Sequence, residues 1–299
     1  MNLDGVLFFP VTPFDQNGII NPSVLREHIQ SRLDYAPGAV FAACGTGEFH
    51  ALSNTEVETA VRVAVDATAG AVPVFAGVGG ALGNAVEGAA RARDAGADAL
   101  LLLPPYLVTG PSNGLREYAL AVADASDLPA VLYHRANARF SAALVAELAQ
   151  HERIIGFKDG TGDIGLAQEI VSAVRAAGVD DFLFFNGLLT AELTQGAYRG
   201  IGIPLYSSAA FAMAPEVAKA YYDAYSQGDE DRRLEILHAF YLPLVALRDE
   251  TPGFGVSLVK AGLRLAGLPV GSVRAPLVDP TTEQEARLAK ILADGAALV

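Results

Sequence analysis

Apolar and polar positions alternate along this chain in two registers. Short unbroken apolar runs, rich in Val, Ile, Leu and Phe, recur at residues 6–9, 39–43, 74–76, 99–103, 130–133, 154–158, 182–185 and 202–206. Runs that are apolar on both faces read as buried parallel strands. Between them lie stretches of helical period containing Ala, Glu and Arg, such as residues 55–68, 84–95, 141–148 and 166–177. The pattern predicts a β-α unit repeated eight times.

Turn signals give the units a direction. Several helical stretches end just before the next strand, as in Ala95-Gly96-Ala97-Asp98 and Ala177-Gly178-Val179-Asp180. The strands run instead into Gly, Pro or polar residues, as in Cys44-Gly45-Thr46-Gly47-Glu48 and Asn186-Gly187. Eight such units close into a (β/α)8 TIM barrel, with active residues at the C-terminal strand ends. A doubly wound open sheet is the structural competitor. Helical segments over residues 215–228, 230–248, 254–266 and 282–293 then form a C-terminal addition. No Pro-, Gly- or Ser-rich linker divides the chain. One domain over residues 1–299 is expected, with the barrel at about 1–225 and a helical extension at about 226–299.

Composition narrows the partners. With 52% hydrophobic and 18% charged residues the chain can bury a large core, which excludes a disordered reading. Its 34 acidic against 21 basic residues, a net charge of −13, disfavour nucleic acid and membrane surfaces. A small anionic substrate remains compatible, because a local site can oppose the global field. A lone cysteine, Cys44, forbids an internal disulfide, and Met1-Asn2-Leu3-Asp4 carries no basic leader signal. A cytoplasmic protein is the expectation. The most apolar run, residues 99–103, is far shorter than the roughly 20 residues a membrane-crossing helix needs.

The main chemical candidate is Lys158, in Gly156-Phe157-Lys158-Asp159-Gly160-Thr161-Gly162-Asp163. A lysine at the end of an apolar strand points into the barrel mouth or to its rim. Facing inward, it loses hydration and becomes an amine able to attack a carbonyl and form a Schiff base. Facing outward, it pairs with Asp159 or Asp163. Tyr133 ends the fifth strand and is either a proton shuttle beside that lysine or an aromatic core residue. The Gly45-Thr46-Gly47 turn offers backbone N–H groups to a carboxylate. Gly160-Thr161-Gly162-Asp163-Ile164-Gly165 has the spacing of a dinucleotide fingerprint, but Asp163 would oppose a pyrophosphate and no acid follows the next strand. Metal support is thin, since no H-x-x-x-H pair exists and only His50 and His134 fall near strand ends. Cys44 reads as a small buried hydrophobe.

Taken together, Gly45-Thr46-Gly47-Glu48, Leu103-Pro104-Pro105-Tyr106, Tyr133 and Gly156-Phe157-Lys158-Asp159-Gly160-Thr161-Gly162 resemble the dihydrodipicolinate synthase and N-acetylneuraminate lyase superfamily. The resemblance covers nearly the whole chain. It implies a class I (β/α)8 enzyme in which Lys158 forms a Schiff base with a 2-keto acid, Tyr133 shuttles protons, and Gly45 and Thr46 face the keto-acid carboxylate. It also implies a homo-oligomer, a tetramer of paired dimers or a dimer, with no metal or organic cofactor.

Departures point to a branch. Synthases of this superfamily usually carry two hydroxyl residues where this chain has Gly45-Thr46, two tyrosines where it has Tyr106-Leu107, and an arginine where it has Ala138. Arg135 or Arg139 would have to serve by another route. Cys44 to Phe49, Leu101 to Leu107 and Tyr206-Ser207-Ser208-Ala209 are instead similar to a decarboxylating dehydratase branch. That similarity implies conversion of 5-dehydro-4-deoxyglucarate to 2,5-dioxopentanoate, CO2 and water. The substrate-binding set it implies is Gly45, Thr46, Gly47, Arg135, Gly187, Ser207 and Ser208; for the serines, strand capping is the alternative role. The competing functions are a class I aldolase acting on a 2-keto-3-deoxy sugar acid and a catalytically silent keto-acid-binding barrel.

Overall fold

The structure, a computed structural model, describes residues 3–299. Eight parallel strands close into a barrel in chain order. They are β1 Leu7–Phe8, β2 Ala39–Ala42, β3 Val74–Gly80, β4 Ala99–Pro105, β5 Ala130–His134, β6 Ile154–Asp159, β7 Leu183–Asn186 and β8 Leu205–Ser208. Leu7 stands opposite Ala39 of β2 on one side and Ser207 of β8 on the other, so the sheet has no edge. That closing pair settles the (β/α)8 expectation against the open-sheet competitor.

The strand connections carry α1 Pro22–Leu33, α2 Asn54–Thr68, α3 Leu82–Asp94, α4 Ser112–Asp124, α5 Ala142–Leu148, α6 Ile164–Ala176 and the short α7 Gln195–Gly200. Local chemistry starts them. In α2, Ser53 and Glu56 form a reciprocal capping box, with Ser53 N donating to Glu56 Oε2 at 2.9 Å. In α1, Asn21 caps and Pro22 occupies the first turn, where its missing N–H is harmless.

After β8 come α8 Ala210–Met213 and α9 Pro215–Gln227, then α10 Glu230–Ile236, α11 Leu242–Arg248, α12 Phe254–Leu265 and α13 Thr282–Ala296. The single helix expected over residues 230–248 is interrupted by a π-helical turn at Leu237–Tyr241. Pro243 lies just beyond it. Proline has no N–H to donate and crowds the carbonyl four residues back, and a wider turn relieves both problems.

Strand alternation separates two apolar cores. Leu7, Phe41, Phe75, Leu101, Val131 and Phe185 fill the barrel, while Phe8, Val40, Leu100, Leu132 and Phe184 face the helices. In β6 the alternation breaks once. Its register against β5 skips Ile155, with Ala130 facing Ile154 and Val131 facing Gly156. This bulge puts Phe157 in the outer core together with Ile154 and turns Lys158, alongside Tyr133, into the barrel.

The C-terminal helices fold back onto the barrel mouth. Phe14 N donates to the Val270 carbonyl at 3.0 Å. Lys260 of α12 meets Glu48 of the β2–α2 loop, Nζ to Oε1 2.6 Å, with both side chains fully buried. Arg274 N donates to the other Glu48 oxygen at 2.8 Å, and its guanidinium binds the Ala51 carbonyl at 2.8 Å. The acid of the Gly45-Thr46-Gly47-Glu48 motif is therefore a clamp between that loop and the extension. Among the described residues no helix is long and apolar enough to cross a membrane.

Candidate active site

At the C-terminal ends of the strands lies a cavity of about 690 Å3, within the ordinary range for small-molecule sites. Lys158 enters it from β6. Its side chain is 4% exposed, with Nζ 4.0 Å from the ring centre of Phe9 and 4.6 Å from that of Tyr133. Burial pulls its pKa down from 10.5 to about 7, and the Arg135 charge adds to the depression. A lysine so placed holds a substantial fraction of free amine at neutral pH, the form that attacks a carbonyl. Cys44, buried nearby with its thiol pushed up to about 12 by burial, stays neutral.

Tyr133 stands beside Lys158 across the β5–β6 ladder. Its hydroxyl donates to the Gly187 carbonyl at 3.1 Å and accepts from Arg135 Nη1 at 3.0 Å. Burial raises its pKa and Arg135 opposes the rise, so the resting group is the phenol. Any phenolate formed there is held by the guanidinium. Two glycines make room for the pair. A Cβ at Gly187 would run into Cγ and Cε of Lys158, and one at Gly160 would come within 2.7 Å of Tyr133 Cε2.

Of the residues singled out in the sequence, Lys158, Tyr133, Arg135, Gly45, Thr46, Gly187 and Ser207 line this cavity. The backbone N–H groups of Gly45 and Thr46 have no acceptor among the described residues, which leaves them free for an anion. Gly47 and Ser208 do not line it. Gly47 is buried against the Ala43 backbone, and its carbonyl accepts from Thr12 Oγ1 at 2.7 Å. Ser208 follows Ser207 on a strand, so it must face the helices; its Oγ accepts from Phe211 N at 3.1 Å. Beside it lies Glu192, whose buried carboxyl is pushed up to about 7 by burial. Ser208 therefore bonds the first turn of α8 outside the cavity lining, which departs from the substrate-facing role read for it from sequence.

The other motifs separate as well. Asp163 Oδ1 accepts from Leu166 N at 3.0 Å, capping α6 and occupying the helix start that a dinucleotide pyrophosphate would need. Asp159 faces outward and is engaged by Thr161 N at 3.0 Å and by the Tyr198 hydroxyl, so it forms no ion pair with Lys158. His50 lines the cavity, but His134 points to the helix layer, where its Nδ1 accepts from Phe140 N at 3.0 Å. The two strand-end histidines therefore do not share the cavity, and Glu48 is held by Lys260.

The sequence reading missed the roof. Thr190, Arg248, Asp249 and residues 251–256 complete the cavity wall, contributed by the β7–α7 connection, the end of α11, the segment that follows it and the first turn of α12. They carry no motif, and only long-range packing of the extension brings them to the mouth.

Comparison with known proteins follows from this geometry. The model of the dihydrodipicolinate synthetase family matches residues 2–294. A Streptomyces avermitilis protein named probable 5-dehydro-4-deoxyglucarate dehydratase 1 is 51% identical over 295 residues, covering 99% of this chain and 94% of its own. A protein of the same probable activity from Rhizobium meliloti is 42% identical, covering 94% of this chain and 92% of its own. Among solved structures, a dihydrodipicolinate synthase from Bacillus anthracis superposes with a TM-score of 0.87 at 26% identity, covering 98% of each chain.

Proposed function

The chain belongs to the dihydrodipicolinate synthetase family, and from that footing we propose that it is a decarboxylating dehydratase, converting 5-dehydro-4-deoxyglucarate to 2,5-dioxopentanoate, CO2 and water through a Schiff base on Lys158. The observation that carries the reading is the buried, partly deprotonated Lys158 amine set against Tyr133 and Arg135 in a cavity with a free-amide anion cradle at Gly45–Thr46. The relatives' shared name supports the choice of substrate.

In this reading, with carbons numbered from the keto-acid end as in the product, the amine adds to the C2 ketone. Tyr133 gives its proton to the departing hydroxyl, so water leaves and the iminium forms, and the resulting phenolate is held by Arg135. That phenolate then takes a proton from the acidified C3 methylene. The enamine expels the C4 hydroxyl with a proton returned by Tyr133, leaving an iminium conjugated to the new C3–C4 double bond. Cleavage of the C5–C6 bond sends its electron pair into this sink and releases CO2. Protonation of C3 by a proton taken up from solvent, tautomerisation of the C5 enol to an aldehyde and hydrolysis of the iminium free 2,5-dioxopentanoate and the lysine, the proton released in the hydrolysis returning to Tyr133.

A small sugar-acid anion as partner and assembly as a homo-oligomer complete the proposal. The apolar Tyr106, Leu107 and Val108 on the β4–α4 loop, 67–79% exposed, support the assembly. The test is product analysis on 5-dehydro-4-deoxyglucarate. One CO2 and one 2,5-dioxopentanoate per substrate are expected; pyruvate formed in step with substrate loss, without CO2, would make the chain an aldolase.

A further inference from the structure

The proposed substrate carries carboxylates at both ends, and the residues near Lys158 account for one. Charged groups along the cavity wall are Lys158, Arg135, Arg248 and Asp249, an excess of cations in a chain whose net charge is −13. Arg135 is committed to the reacting end through its bond to the Tyr133 hydroxyl. Arg248 arrives from elsewhere, at the C-terminus of α11.

We propose that Arg248, presented by Thr190, recognises the distal carboxylate and makes the site selective for dicarboxylic keto acids. The Arg248 side chain is 16% exposed. Its Nη1 donates to Thr190 Oγ1 at 2.7 Å and its Nε to Asp249 Oδ1 at 2.7 Å, while Nη2 has no acceptor among the described residues. Two fixed nitrogens and one free one are what a guanidinium needs in order to meet a carboxylate in a set orientation.

Thr190 gives independent support. It adopts φ 52°, ψ 64°, a left-handed conformation that β-branched residues rarely occupy and that tends to be retained at ligand sites. The loop carrying it starts at Gly187, packed on Lys158, and reaches the Arg248 partner three residues later. Three residues of chain span at most about 10 Å. Lys158 and Arg248 line the same cavity, so an acid held as an imine at Lys158 shares that space with a cation that comes from the C-terminal extension rather than from a barrel strand.

This inference rests on the substrate reading above, so its test uses ligands that need no turnover. 2-Oxoadipate and 2-oxohexanoate have the same length and keto-acid end and differ in the distal carboxylate. Calorimetric titration of wild type, Arg248→Gln and Arg248→Lys with each compound separates the ends. Loss of one charge-assisted contact corresponds to roughly 10–100-fold in affinity. Arg248→Gln is expected to weaken 2-oxoadipate by that factor and leave 2-oxohexanoate within about twofold, with Arg248→Lys recovering part of the loss. Equal weakening of both compounds, or of neither, overturns the assignment. Failure of the catalytic reading is seen separately, as a wild-type protein that binds 2-oxoadipate but does not consume 5-dehydro-4-deoxyglucarate.

Discussion

Replacing Lys158 by methionine should inactivate the protein and stabilise it. The lysine is 4% exposed and faces aromatic rings, and its pKa falls from 10.5 to about 7 because the folded site disfavours the ammonium. Between those two values the unfolded chain holds a proton that the folded chain has released, so wild-type stability rises with pH across that window. Below it the folded protein carries the full penalty of a buried charge. At about 1.4 kcal/mol per pKa unit, the penalty at pH 7 is roughly 4 kcal/mol. Methionine has a similar length, is apolar and does not titrate, so Lys158→Met removes this penalty. For a chain of this length the unfolding entropy converts that figure into a rise of about 6 °C in Tm. Thermal unfolding of both proteins at equal concentration, at pH 7 and pH 10, is the assay. The gain should shrink to under about 1 kcal/mol at pH 10, where the folded lysine is neutral and the pH has come close to the unfolded-state value of 10.5. A variant no more stable than wild type at pH 7, or a gain independent of pH, would refute the argument.

Three further outcomes follow from the same contacts. Tyr133→Phe should slow imine formation and lower kcat by about 10²–10⁴-fold, the range for a positioned acid–base group, as read by stopped-flow and steady-state assays; near-wild-type turnover reassigns the proton transfer. Gly187→Ala should abolish activity, because its methyl group takes the space of the Lys158 side chain and comes within 2.9 Å of the Asp159 carbonyl; crystallography of the variant should find the lysine displaced. Glu48→Gln leaves the Lys260 ammonium buried without its counter-charge and should destabilise by about 3–5 kcal/mol, whereas a Glu48→Met, Lys260→Met double variant should recover much of the loss in urea denaturation.

The barrel was legible because eight buried strands leave eight continuous apolar runs, and their spacing and turn residues carry the topology. The helical period is weaker in α1 and α4, since α1 opens on Pro22 with a polar Arg26-Glu27-His28 stretch and α4 includes Gly114, so their bounds come from the structure. Lys158 was read correctly as a strand-end lysine, but whether it faced inward depended on the β6 bulge at Ile155, which no periodicity reveals. For Ser207 and Ser208 the signal was present and underused: strand alternation alone forbids both from facing one cavity. Arg248 and Thr190 lie outside every motif, 90 and 32 positions after Lys158, and only the packing of the extension over the barrel mouth assigns them to the site.

The central claim is that the Lys158 amine becomes covalently joined to the keto carbon of its substrate. Incubation with 5-dehydro-4-deoxyglucarate and borohydride, followed by proteolysis and mass spectrometry, reads this directly. The account predicts a reduced adduct on the peptide containing Lys158 and none on any peptide of the Lys158→Met variant. An adduct on another lysine, or full activity in that variant, would contradict it.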